Sequence, residues 1–180
     1  MINYLYRILL TFNSTSLIVV VYLVKERCTI SDFNISLFTL PNYISYLIYV
    51  LIPIVLTLIS LYISKYLSKD SIDIGKVKQI EQANNAFLPS YLGYFFVALS
   101  VPYCDTLLFI FLILFVFTFL SQTLYFNPLF LIFGFQFYYL TTTNEIKIFI
   151  ITRKELKDPK LTEFKKLRRI NNFTFIDLEK

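Results

Sequence analysis

The sequence predicts a mainly α, polytopic membrane protein: four transmembrane helices followed by a small cytoplasmic α+β module at the C-terminal end. Three observations predict it. Between residues 82 and 144, Asp105 is the only charged side chain. Apolar residues there surround every helix face instead of forming one stripe, which lipid tolerates and water does not. Of the 180 residues 57% are hydrophobic and 16% charged, against about 25% charged in soluble domains. The remaining positive charge is concentrated in the tail, where residues 147–180 carry ten of the 17 Lys and Arg.

The four spans are expected at about 3–24, 43–67, 85–103 and 106–133, together a membrane domain over residues 1–134. The first has Arg7 near its start, ends at Lys25-Glu26-Arg27, and carries Asn13, Ser14, Thr15 and Ser16 in its middle. No small-residue cleavage site precedes Lys25, so a retained helix is expected and not a signal peptide. The second is uncharged from Ile44 to Ile63 and carries Pro53, which removes a backbone hydrogen bond and kinks the helix. Residues 68–86 read as a polar loop with Lys69, Asp70, Asp73, Lys76, Lys78 and Glu81. There Val77, Ile80, Asn84 and Phe87 recur at helical spacing, which predicts a short amphipathic helix running into the third span. The third span is short and needs tilt or local thinning of the bilayer. Tyr103-Cys104-Asp105 breaks it from the fourth, which Asn127-Pro128 interrupts before Gly134.

Residues 135–180 are a different kind of sequence. Residues 135–140 and 146–152 are rich in aromatic and β-branched side chains on either side of Thr143-Asn144-Glu145, which predicts a β-hairpin. Leu161, Phe164 and Leu167 predict a helix over 160–169, and Phe173-Thr174-Phe175-Ile176 a third strand. A module this small needs support from the membrane or a partner.

With four spans, fifteen Lys and Arg fall on the side of the termini and two, Lys25 and Arg27, on the other. Both termini are therefore expected in the cytoplasm. Cys28 and Cys104 then share the external side, where a disulfide between them and two free thiols both stay open. The chain has no His, no Gly-rich phosphate loop, no nucleophile–base pair and no metal-ligand cluster. An enzyme is not expected, nor a cofactor or metal. No span is expected to bury a charge, which argues against an ion-coupled transporter. The expected partner is first the lipid bilayer. The run Lys165, Lys166, Arg168 and Arg169 has three readings: a surface for anionic lipid headgroups, a docking patch for an acidic soluble protein, and a nucleic-acid contact. Nucleic acid ranks last, because no aromatic stacking pattern accompanies the run.

Asn127-Pro128-Leu129 leading through Gly134-Phe135-Gln136-Phe137-Tyr138, and then Lys147-Ile148-Phe149-Ile150-Ile151-Thr152-Arg153-Lys154-Glu155-Leu156, resemble the small membrane subunit of Kiwa, a two-gene bacterial anti-phage system. The resemblance implies a sensor and scaffold at the bacterial inner membrane. Such a subunit registers phage attachment or envelope disturbance, forms a homo-oligomer and holds a soluble DNA-binding effector. It carries over no catalytic residue. A second class stays open on composition, a small pore-forming membrane effector. For a pore, Ser14, Thr15 and Ser16 supply polar groups, but no polar stripe along a helix is visible.

Overall fold

The computed structural model describes residues 2–33, 41–86, 88–121 and 127–179. Its helices are α1 (Ile2–Lys25), α2 (Asn42–Ile63), α3 (Leu88–Ser100), α4 (Cys104–Ser121) and the single turn α5 (Leu129–Ile132). α1 is central and packs against α2, α3 and α4. Ile2–Lys25, Asn42–Tyr66 and Cys104–Ser121 are long and apolar enough to cross a membrane. α3 has 13 residues, about 20 Å at 1.5 Å per residue and short of a hydrocarbon core of about 30 Å. Of the stretch expected as a fourth span, α4 is described as far as Ser121, and the single turn α5 follows Pro128. Phe87 of the expected amphipathic helix and positions 122–126 of that span lie outside the described residues.

The strands are β1 (Lys69–Ile72), β2 (Val77–Gln82), β3 (Gln136–Thr142), β4 (Lys147–Thr152), β5 (Phe164–Arg169) and β6 (Thr174–Asp177). They form one sheet in the order β1-β5-β6-β4-β3-β2. All pairs are antiparallel except β4–β6. The expected hairpin is β3–β4, turned at Glu145, whose φ is +61°, and closed by Glu145 N–H to the Thr142 carbonyl at 3.0 Å. The expected third strand is β6.

β1 and β2 follow each other in sequence yet form opposite edges of the sheet. From Ile72 to Val77 the chain reaches at most about 18 Å, whereas the edges of a flat six-stranded sheet stand about 24 Å apart. The sheet is therefore curled into an open barrel, its edges joined by a tight turn with Gly75 in the left-handed region (φ +77°). Its inner face buries Val77, Tyr138, Leu140, Ile148, Ile150, Phe164, Leu167 and Phe175, with Leu156 packed against them.

Two expectations fail here, for the same reason. The helix over 160–169 is instead a 3-10 turn, Pro159–Leu161, followed by strand β5. The amphipathic helix from Val77 is strand β2. Opposite β5, Asp70 pairs Leu167 while Ile72 pairs Phe164, so β5 carries one extra residue. In β2, Val77 pairs Thr142 while Gln79 pairs Thr141, again one extra residue. A β-bulge turns residues three apart to the same side. Phe164 with Leu167, and Val77 with Ile80, thus meet the barrel core at a spacing that otherwise signals a helix. The tail is consequently not self-contained, since residues 68–86 supply two of the six strands.

Candidate functional site

α2 buries Ser45, Tyr49, Pro53, Thr57 and Ser60, and Ser64 continues the line. These positions recur every three or four residues, so they form one stripe, and none is Leu, Ile or Val. Many aliphatic residues of the same helix face outward, Leu47, Leu51 and Leu58 among them, while Leu61 and Ile63 near its end pack on the core around Tyr6 and Phe130. α1 buries Thr11, Asn13, Ser14, Thr15 and Ser16, which point around the helix because it is central, and Asn13 meets that stripe. The inward hydroxyls donate to carbonyls of their own helix, for example Thr15 to Thr11 (2.9 Å), Ser60 to Thr57 (2.7 Å) and Ser64 to Leu61 (2.7 Å). Such back-bonded, small side chains let two helices approach closely without leaving a polar group unmade.

Asn13, Thr57 and Asn127 interlock at the centre of this seam, all essentially without solvent exposure. With its amide oxygen toward both donors, Asn13 accepts from Asn127 Nδ2 (2.8 Å) and Thr57 Oγ1 (2.7 Å) and donates to the Pro53 carbonyl (3.1 Å). Asn127 Oδ1 in turn accepts from Leu129 N–H at 3.0 Å, at the start of α5. The triad therefore ties α1 and α2 to the segment that leads into β3. The Tyr91 hydroxyl adds α3 by donating to the Ser14 carbonyl at 2.8 Å.

The bundle meets the barrel through a second core. Tyr6 and Leu10 of α1, Phe130 of α5 and Leu67 pack on Phe137, Phe149, Ile151 and Ile176, which face out from the barrel. Phe130 meets Phe135 and Phe137 edge-on, and Phe137 stacks on Phe149. Full burial of one such side chain is worth about 1.5–3 kcal/mol, so this junction makes the helix bases and the barrel one body. Asn3 adds a polar clasp, donating to Ser68 Oγ (3.1 Å) and the Arg169 carbonyl (3.0 Å).

The basic run is not one patch. Lys165 and Lys166 stand well exposed, with Glu163 at 3.5 Å and Glu179 at 3.3 Å respectively. Arg168 turns to the helix bases and donates to the Leu67 carbonyl at 3.1 Å. Arg169 lies 3.8 Å from Asp70 and 5.8 Å from the Phe175 ring centroid. Cys28 and Cys104 share the opposite end of the bundle, where Lys25 Nζ donates to the Val101 carbonyl at 2.6 Å. Both thiols are free. Burial, with Asp32, Glu26 and Cys104 adding to it, pushes the Cys28 thiol up and keeps it protonated at neutral pH. Among the described residues no three metal-ligating side chains come together.

The arrangement is thus a mechanical linkage from a polar seam, through an aromatic junction, to a barrel. The sequence profile described as anti-phage protein KwaA matches residues 6–176. The chain belongs to this family. The match begins at Tyr6 in the junction and ends at Ile176 in β6, so it covers the bundle and the barrel together. Comparisons with curated proteins and with solved structures each returned no match. Membership of the KwaA family assigns the chain a role in defence against phage, as the resemblance over 127–138 and 147–156 implies. The family match does not single out the triad, and the sequence reading missed it. A signal was present in the spacing of Ser45, Tyr49, Pro53, Thr57, Ser60 and Ser64, but the many Leu and Ile between them hide it.

Proposed function

We propose that this chain is a membrane-embedded sensor and scaffold in bacterial anti-phage defence. It crosses the inner membrane four times with both termini in the cytoplasm, and the barrel is the platform that holds a soluble, DNA-binding effector. The observation that carries this reading is a bundle with an apolar outer surface and a polar seam between α1 and α2, fastened through the aromatic junction to a barrel that is apolar inside and charged outside. Beside the seam, Ile18, Ala98, Val101 and Leu107 form an apolar packing where α1 meets α3 and α4. A disturbance of the lipid around α2 or α4 displaces helices whose bases are packed into that junction, and the barrel moves with them. Fifteen Lys and Arg on the barrel side against two on the other support this orientation. α3 is accommodated by thinning of the bilayer beside it. The apolar outer surface of α4, with Phe109, Leu112 and Phe117 exposed, suits lipid and further copies of the chain in a homo-oligomer.

On the barrel, Lys165 and Lys166 are the exposed half of the basic run and suit an acidic surface of the effector. Replacing both with Ser is expected to leave membrane insertion intact and to weaken recovery of the effector in pull-downs, most at low salt, because exposed pairs are screened beyond about 8 Å at physiological ionic strength. Equal recovery by both proteins at low and high salt sinks this docking role. A fluorescent protein fused after Lys180 is expected to be bright and a phosphatase there inactive, and the reverse pattern overturns the orientation.

A further inference from the structure

A cavity of about 430 Å³ opens where the first turns of α1 meet the turn between β5 and β6, lined by Asn3, Tyr4, Arg7, Arg169, Asn171 and Asn172. Two guanidinium groups from elements far apart in sequence therefore share one concavity with three amide side chains. Both are held in place. Arg7 lies over the Phe119 ring, 5.1 Å from its centroid, with Nη2 3.4 Å from the Phe119 carbonyl. Arg169 is fixed through its backbone, whose N–H donates to the Ser68 carbonyl at 2.8 Å and whose carbonyl accepts from Asn3. The turn beyond it is braced by Asn171 Oδ1, which accepts from the N–H groups of Phe173 and Thr174 at 2.8 Å each. Asp70 faces Arg169; at 3.8 Å from Nε it is beyond hydrogen-bond distance and offsets only part of the charge of that guanidinium.

The position of the cavity is as telling as its lining. Tyr4 packs edge-on against Phe119, and Leu5, Phe117 and Leu120 nearby are exposed. The cavity thus sits where the apolar outer surface of the helices gives way to the polar barrel. A planar carboxylate is satisfied by one guanidinium fork. Two guanidiniums on separate elements present donors from two directions and suit a tetrahedral oxyanion.

We propose that this cavity binds a phosphate group, supplied by the headgroup of an anionic phospholipid. The lipid assignment rests on the membrane reading above; the oxyanion chemistry does not. A headgroup held there bridges α1 to β5 and so reports the state of the surrounding leaflet to the barrel.

Native mass spectrometry of the full chain in neutral detergent, with phosphatidylglycerol or phosphatidylcholine of matched acyl chains, tests this. Phosphatidylglycerol is expected to be retained preferentially, and each of Arg7→Gln and Arg169→Gln to weaken its retention about fivefold, the usual worth of one basic residue at an anionic surface. Lys165→Gln with Lys166→Gln is expected to change nothing. Asp70→Asn keeps both arginines and is expected to strengthen retention, so a poorly folded arginine variant does not shield the proposal. Equal retention of the two lipids, or unchanged retention in the arginine variants and in Asp70→Asn, overturns it. A rise in the thermal midpoint with inorganic phosphate but not with short-chain phosphatidylglycerol overturns the lipid assignment and leaves a soluble phosphate ligand. Carbonate extraction separates the two levels: release of the chain from membranes defeats the membrane reading, whereas a retained chain that ignores headgroup charge defeats the site alone.

Discussion

In the barrel, Leu140, Ile150 and Leu167 are buried while Lys147, Lys165 and Lys166 face out. In the bundle, Asn13, Thr57 and Ser60 are buried while Leu47, Leu58 and Leu112 face out. Along the α1–α2 seam the two kinds of side chain exchange places, while the packing of α1 on α3 and α4 keeps Ile18, Ala98, Val101 and Leu107 inside. Folding in water places apolar groups inside, because burial removes them from water. In lipid that incentive vanishes between helices, and close packing with internal hydrogen bonds takes over. On the proposed membrane reading, the difference teaches that the chain is built for two solvents, and that they meet at the junction of Tyr6, Leu10, Phe130 and Phe137.

The sharpest way to break the comparison is to place a charge on each side of it. Ile150→Asp puts a carboxylate into the barrel core and is expected to cost more than about 4 kcal/mol, enough to unfold the barrel, read as protease sensitivity of the C-terminal third. Leu112→Lys alters an exposed residue of α4. In water such a change stays within about 0.5 kcal/mol; in lipid it is expected to cost about 3 kcal/mol of insertion. Normal carbonate-resistant yield of Leu112→Lys would place α4 against water and dissolve the comparison.

A smaller effect is expected from the seam. Asn13→Leu is close to isosteric but removes the acceptor shared by Thr57 and Asn127. The expected loss is about 1–2 kcal/mol of stability in detergent, given that membrane hydrogen bonds average about 0.6 kcal/mol and buried unmade groups cost more. A stabilised Asn13→Leu would show that the triad adds no stability to the seam.

The smallest effect concerns the barrel surface. Lys154 lies 3.4 Å from Asp177 and 3.2 Å from Glu179. Burial pushes its ammonium down, but the two carboxylates outweigh burial and its pKa is raised. Lys154 and Lys166 hold Glu179 below the usual carboxylate range. For Glu179 the stabilisation is complete above the unfolded pKa of about 4.3 and is lost as pH falls through the lower folded value. For Lys154 it is complete below about 10.4 and is lost as pH rises through the higher folded value. Thermal melts are expected to be level between these limits, with the acid-side decline reduced in Glu179→Gln. An unchanged acid limb in that variant would show that the network adds no stability.

Much of this was legible in the chain itself. The uninterrupted apolar stretches assign the helices α1, α2 and α4 to their places, and the aromatic, β-branched runs around Glu145 assign β3 and β4, because side chains a few residues apart settle those questions. The sequence also places Cys28 and Cys104 at one end, through the alternation of spans. Tertiary structure alone decided the rest. Val77 with Ile80 and Phe164 with Leu167 look helical until a register shift against a distant strand turns each pair inward. The barrel exists only because β1 and β2, from between α2 and α3, border strands about 60 to 100 residues further on. Lys165, Lys166, Arg168 and Arg169 are neighbours in sequence, yet the bulge and the strand end divide them between the open surface and the helix bases. Periodicity reports which residues can share a face; which face is buried, and against what, is fixed by partners that local sequence does not contain.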